Sequence, residues 1–134
     1  MIIKQLSVFV ENKPGRLAEI TRIIADSGCS LQALSIADTD NFGILRLIVD
    51  DYEKAYSALK ENNVIASVKD VVSVKVPDAP GGFAGMLTTL SDKGIDVSYT
   101  YAFISKDGDN AQVVIRVADN AKAVAILTEA GYKL

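Results

Sequence analysis

Residues 11–17 read ENKPGRL and residues 78–83 read DAPGGF. Each stretch sets a polar residue two places ahead of Pro-Gly, and each follows an apolar run, LSVFV at 6–10 and VVSVKV at 71–76. A single Pro-Gly is ordinary turn punctuation. Two in matching surroundings point to a duplicated unit. With Pro14 laid over Pro80, an offset of 66, Gly15 falls on Gly81, Leu17 on Phe83 and Gly28 on Gly94. Leu6, Val8 and Val10 fall on Val72, Val74 and Val76. Past the loop near position 40 the offset becomes 68. Leu45, Leu47 and Val49 then fall on Val113, Ile115 and Val117, and Asp51, Ala55 and Leu59 on Asp119, Ala123 and Leu127. The two copies differ by one two-residue insertion in a loop.

Working outward from the turn gives the rest of the unit. Residues 3–10 alternate, with Leu6, Val8 and Val10 on one face, the pattern of a half-buried strand. Pro14 is expected at the first helical position, where its missing N–H is no loss. Leu17, Ile20, Ile23, Ile24 and Leu31 follow at helical spacing, and Gly28 ends the helix because glycine accepts the left-handed backbone there. Strands are expected at 30–37 and 43–49, joined by the turn DTDN, then a helix at 51–62 and a strand at 64–69. The second copy gives a strand at 71–77, a helix at 81–92, strands at 96–105 and 111–118, and a helix at 119–130. Only YKL remains for its last strand. The fold class is α+β: two tandem ferredoxin-like βαββαβ units, each with a four-stranded antiparallel sheet and two helices. The units are residues 1–69 and 70–134. Each is small enough to be marginal alone, so packing together and pairing with a second chain, as a homodimer, are expected.

Composition removes several functions. The net charge is −3, which argues against nucleic-acid binding. DNFGILRLIV at 41–50 resembles an RNA-recognition strand only faintly, with Phe42 alone where several aromatics belong. The chain has no histidine and one cysteine, Cys29, so no intrachain disulfide forms, and no metal ligand set or cofactor site is evident. No nucleophile stands beside an evident base, so no catalytic residue is assigned and the chain is read as a non-enzyme. The apolar runs are too short for a bilayer. MIIKQLSVFV carries Lys4 and no small-residue cleavage site, so it reads as a strand and the expected compartment is the cytoplasm.

The βαββαβ order, with ENKPGRL after the first strand, DYEKAYSALKENN as the second helix, and VPDAPGGFAGML and YTYAF in the second copy, resembles the ACT domain. The resemblance covers nearly the whole chain and implies a free-standing protein of two tandem ACT domains, with no catalytic domain attached. It implies a regulatory sensor of small ligands, commonly amino acids, held near the loop between strand one and helix one at interfaces between paired domains. Its implied partners are an amino acid and a regulated metabolic enzyme. The implied ligand residues are Asn12, Gly15, Arg16 and Leu17 in the first unit and Asp78, Gly81, Gly82 and Phe83 in the second. Many ligand-binding members carry asparagine near the start of strand two; Ser30 and Asp96 hold that place here.

The turn has chemistry of its own. A helix N-terminus offers unpaired N–H groups and partial positive charge to a carboxylate. Gly15, Gly81 and Gly82 let a ligand approach the backbone. The Asn12 amide both donates and accepts, and ionised Asp78 accepts, as an ammonium requires. Arg16 offers a forked clamp for a carboxylate. The plainer reading stands beside this: Asn12 and Asp78 are favoured helix caps serving their own helices, and Arg16 is a solvated helix-start residue. Tyr99, Tyr101 and Phe103 share one strand face, either lining a pocket for an apolar or aromatic ligand or forming a covered sheet surface. Cys29 reads as a small, partly buried residue. The function expected is a non-catalytic amino-acid sensor; the alternative is a ligand-independent assembly module.

Overall fold

The structure is a computed structural model and describes residues 1–39 and 41–134. Asp40, in the expected DTDN turn, lies outside the described residues. The elements run β1 (Ile2–Glu11), α1 (Arg16–Asp26), β2 (Leu31–Asp38), β3 (Phe42–Val49), α2 (Tyr52–Glu61), β4 (Ala66–Pro77), α3 (Gly82–Ser91), β5 (Tyr99–Ala102), β6 (Asn110–Arg116) and α4 (Asn120–Glu129). The chain divides into two compact units. One is Lys4–Lys69; the other is Asp70–Leu134 together with Met1–Ile3.

In the first unit, β3 pairs antiparallel with both β1 and β2, placing Leu6 opposite Leu47, Val8 opposite Leu45, and Leu34 opposite Leu47 on the other side. The Phe9 N–H donates to Ile65 O just before β4, which closes the order β2-β3-β1-β4. The strand alternation sends Leu6, Val8 and Val10 inward with Leu45, Leu47 and Val49. Ile20 and Ile24 of α1 and Ala55 and Leu59 of α2 cover them, all fully buried. Each such leucine or isoleucine contributes roughly 1.5–3 kcal/mol by leaving water.

In the second unit, β6 pairs antiparallel with β4 and β5, with Val72 opposite Ile115 and Tyr101 opposite Val114. Met86, Leu90, Ala123 and Leu127 cover Val72, Val74, Val76, Val113 and Ile115. These occupy the positions that the 66- and 68-residue offsets predict.

The α+β, antiparallel character is as expected; the expectation of eight strands is met only in part. The described residues form six, ordered β2-β3-β1-β4 in the first unit and β4-β6-β5 in the second, and β1 and β4 each carry residues assigned to both units. The strands expected at 64–69 and 71–77 are one, β4, because ASVKDVVSVKV has no glycine, proline or asparagine to break it. β5 is four residues long, not the ten of 96–105. The YKL end makes one bridge, Lys133 to Lys75. Beside that bridge the Ser73 N–H donates to Met1 O at 2.8 Å, so Met1–Ile3 supplies edge pairing that a full last strand would have given.

Among the described residues no helix is long and apolar enough to cross a membrane.

Candidate functional site

The two Pro-Gly turns share a backbone. Gly15 (φ 83°) and Gly81 (φ 85°) are the residues before α1 and α3, both left-handed. Pro14 therefore precedes the helix cap instead of opening the helix, a correction to the expected first helical position. Arg16 N–H donates to Lys13 O and Gly82 N–H to Ala79 O. The Asn12 N–H donates to Asn41 O at 3.0 Å, and the Asp78 N–H to Asp109 O at 2.9 Å. So each turn is tied to the loop between the second and third strands of its own unit.

Neither turn is a side-chain cap. No side chain caps α1 or α3. By contrast, Asp51 accepts from Lys54 N–H at the start of α2, and Asp119 from Lys122 N–H at the start of α4. The plainer reading of Asn12 and Asp78 as caps is thereby removed. Asn12 Nδ2 donates to Thr39 O at 3.1 Å. Asp78 forms an ion pair with Lys106.

The surroundings then diverge. In the first unit Arg16 is mostly buried, with 19% of its side chain exposed, and pairs with Glu19 at 3.0 Å. Its Nε–H is buried and has no hydrogen-bond partner. Arg16, Phe9, Glu11, Asn63 and Ile65 line a cavity of about 120 Å³. Glu11 pairs with Lys13 at 2.8 Å, and Lys13, with a smaller part from Arg16, holds its carboxyl below the ordinary range. In the second unit Gly82 takes the place of Arg16, and a Cβ there would lie 2.0 Å from Pro77 O. Glycine is needed at that spot because the strand end and helix start touch. Leu17 and Phe83, the next residues, are both substantially exposed.

Ser30 and Asp96 lie away from the turns. Glu11 pairs with Phe42 and Leu31 with Val49, so Ser30 is about seven residues along β3 from the turn, roughly 23 Å at ~3.3 Å per residue. Its N–H donates to Asp50 Oδ1. Asp96 lines a separate cavity of about 340 Å³ with Asp119 and Lys122 at the start of α4. Tyr99, Tyr101 and Phe103 are half-buried. Tyr99 and Tyr101 stack at 6.5 Å and, opposite Arg116 and Val114, lie on the sheet face away from the helices. Cys29 is 8% exposed and its thiol donates to Asp51 O, in keeping with a small packed residue.

Sequence reasoning missed Thr39, Asn41, Lys106, Glu11, Asn63 and Ile65. The signal for the loop residues was present: with β3 antiparallel to β1, the β2–β3 loop must return beside the turn. No group of His, Cys, Asp and Glu among the described residues is arranged to hold a metal.

Residues 1–133 match the family described as the ACT domain pair. No curated protein matches the chain. Among solved structures, protein BT0572 from Bacteroides thetaiotaomicron is 42% identical with a TM-score of 0.92, covering 99% of this chain and 91% of that one. The ligand-free regulatory subunit of aspartate kinase from Thermus thermophilus is 15% identical with a TM-score of 0.71, covering 98% of this chain and 95% of that one. Aspartate kinase from Synechocystis is 20% identical with a TM-score of 0.63, covering 95% of this chain and 25% of the enzyme.

Proposed function

This chain belongs to the family of paired ACT domains, and on that premise we propose that it is a non-catalytic, amino-acid-binding regulator. One observation carries the reading: α1 and α3 start uncapped at left-handed glycines, while α2 and α4 are each capped by an aspartate. An uncapped start leaves first-turn N–H groups for water or a ligand. The positive end of the helix favours a carboxylate there. The proposed ligand loops are Asn12, Gly15, Arg16 and Leu17, and Asp78, Gly81, Gly82 and Phe83. Ser30 and Asp96 are too far along their sheets to share a ligand with the turn of their own unit. The family supports a regulatory role, exercised on a metabolic enzyme of the cytoplasm by a homodimer of this chain. Units of residues 1–69 and 70–134 are the proposed sensor domains.

A thermal-shift screen against the standard amino acids, followed by calorimetry, tests this. A ligand at a hundredfold its dissociation constant adds roughly 2.7 kcal/mol, a rise of several degrees for a protein of this size. The absence of both a shift and binding heat with every amino acid would sink the reading. The alternative, an assembly module needing no ligand, would then stand. The exposed Phe9–Phe42 ring pair, 5.2 Å apart, with Ile36 and Ile65 also exposed, favours it.

A further inference from the structure

The cavity beside the first turn has a counterpart in the second unit. Phe9, Glu11, Asn63 and Ile65 line the first. Lys75, Pro77, Gly131 and Lys133, their equivalents at the 66- and 68-residue offsets, line the second, of about 220 Å³. The fold thus builds the same hollow twice and fills it with different chemistry. The first hollow has an acid, a guanidinium and a primary amide between two apolar side chains. The second has two lysines, Asn110 and Tyr132 but no acid in its wall; Lys75 pairs with Asp107 at 2.6 Å, as Glu11 of the first does with Lys13.

A zwitterion needs an anion for its ammonium and a donor for its carboxylate, and only the first hollow offers both. Glu11 supplies the anion, and its carboxyl is held in the ionised form by its cationic neighbours. Arg16 supplies the donor, through a guanidinium whose buried Nε–H has no acceptor, a state whose desolvation penalty a bound carboxylate would relieve. Phe9 and Ile65 leave apolar surface open to solvent, 47% and 73% exposed. Asn63 is the one non-glycine residue with positive φ among the described residues, at 59°, where the second unit has Gly131 at 92°. Asparagine tolerates that backbone after a helix end, so the conformation alone carries nothing. The exchange puts an amide at this position of the first hollow, whereas the amide in the wall of the second comes from Asn110 on β6.

We infer that the first unit alone holds the amino acid, with the zwitterion between Glu11 and Arg16, the Asn63 amide beside it, and an apolar side chain against Phe9 and Ile65. The inference rests on the amino-acid-binding reading and narrows it to one site and one ligand class.

Calorimetry on the full chain with L-leucine, L-isoleucine and L-phenylalanine tests it. Arg16→Gln removes the charge. Ile65→Lys and Phe9→Lys import the second unit's residues at exposed positions. Asn63→Gly keeps the left-handed backbone and removes the amide. At least a tenfold loss of leucine affinity is expected in Arg16→Gln and in Ile65→Lys, with none in Lys133→Ile. Leucinamide and N-acetyl-leucine should each bind at least tenfold more weakly than leucine, since each lacks one end of the zwitterion. Leucine binding unchanged within twofold in all four first-unit variants would overturn the single-site inference and leave the regulator reading intact. A preference for aspartate or lysine over leucine would overturn the ligand class alone. No heat with any standard amino acid would overturn both.

Discussion

The segments 12–16 and 78–82 follow the same path and make matching backbone ties to their neighbouring loops, yet the hollows beside them are lined by different chemistry. The difference begins at the helix start. Arg16 occupies a helix start with room for its Cβ, whereas Gly82 occupies the equivalent start with its backbone against Pro77 O. Duplication preserved what the backbone needs, a left-handed glycine and a tie to the neighbouring loop. It did not preserve what a ligand needs. Asn12, which donates to a carbonyl, became Asp78, which pairs with Lys106. The apolar Phe9 and Ile65 became Lys75 and Lys133. Conserved geometry with divergent lining is what one site retained from two would look like.

The sharpest way to break this contrast is to give both helix starts a Cβ. In Gly82→Ala the new atom would meet Pro77 O at 2.0 Å, and a backbone oxygen cannot rotate away. Overpacking costs typically 1–3 kcal/mol, so a loss of about 3 kcal/mol is expected in urea unfolding. Arg16→Ala, which keeps a Cβ where one already fits, should cost under about 1 kcal/mol. Equal losses would mean that the two turns are packed alike. Gly15→Ala and Gly81→Ala test what the copies share. Each forces a side chain into the left-handed region at a cost of roughly 1–2 kcal/mol. The two losses should agree, since a Cβ at either glycine meets nothing within 4 Å.

A smaller effect separates the capped helices from the uncapped ones. Asp51→Ala and Asp119→Ala each remove a cap and should cost about 1 kcal/mol. Asn12→Ala and Asp78→Ala remove no cap, and each should cost about half of that or less, because an exposed hydrogen bond or ion pair contributes little. If Asn12→Ala destabilised as much as Asp51→Ala, Asn12 would be serving its helix after all, and the open helix start would lose its support.

The helices and most strands were legible because their signals are local. Leu6, Val8 and Val10 alternate, Ile20 and Ile24 recur a turn apart, and Asp51 and Asp119 mark helix starts. The 66- and 68-residue offsets paired the two cores position by position. What escaped depends on contacts distant in sequence. The strand expected to end at 69 runs on to Pro77, since nothing in its sequence breaks it and pairing holds on both sides of Asp70. The first hollow joins the end of β1, the start of α1 and the approach to β4, more than 50 positions apart in sequence. Of the ten candidate site residues only Arg16 lies in its wall. Ser30 and Asp96 hold the family's asparagine place near the start of strand two, and strand register puts that place at the far end of the sheet from the turn of the same unit.

The faintest contrast is one of charge, and pH reads it. Glu11 is held below its ordinary 4.5 chiefly by Lys13, with a smaller part from Arg16. Asp107 is held below its ordinary 3.8 chiefly by Lys75, with a smaller part from Lys133. Both groups are carboxyls with depressed folded values. Whatever the pairs contribute is therefore complete above the unfolded values and is lost as pH falls through the folded ones; raising pH above neutrality leaves both carboxylates ionised. Both are exposed, so screening by water keeps the effect on stability small, and the measurement is a side-chain NMR titration. Both midpoints should fall below 4.5 and 3.8 respectively. Lys13→Met should return Glu11 most of the way and Lys75→Met should do the same for Asp107, the remainder coming from Arg16 in one unit and Lys133 in the other. A Glu11 midpoint that Arg16→Gln leaves unchanged in the Lys13→Met background would separate the two charges electrostatically. It would take away the coupling expected of an anion and a cation that face one zwitterion.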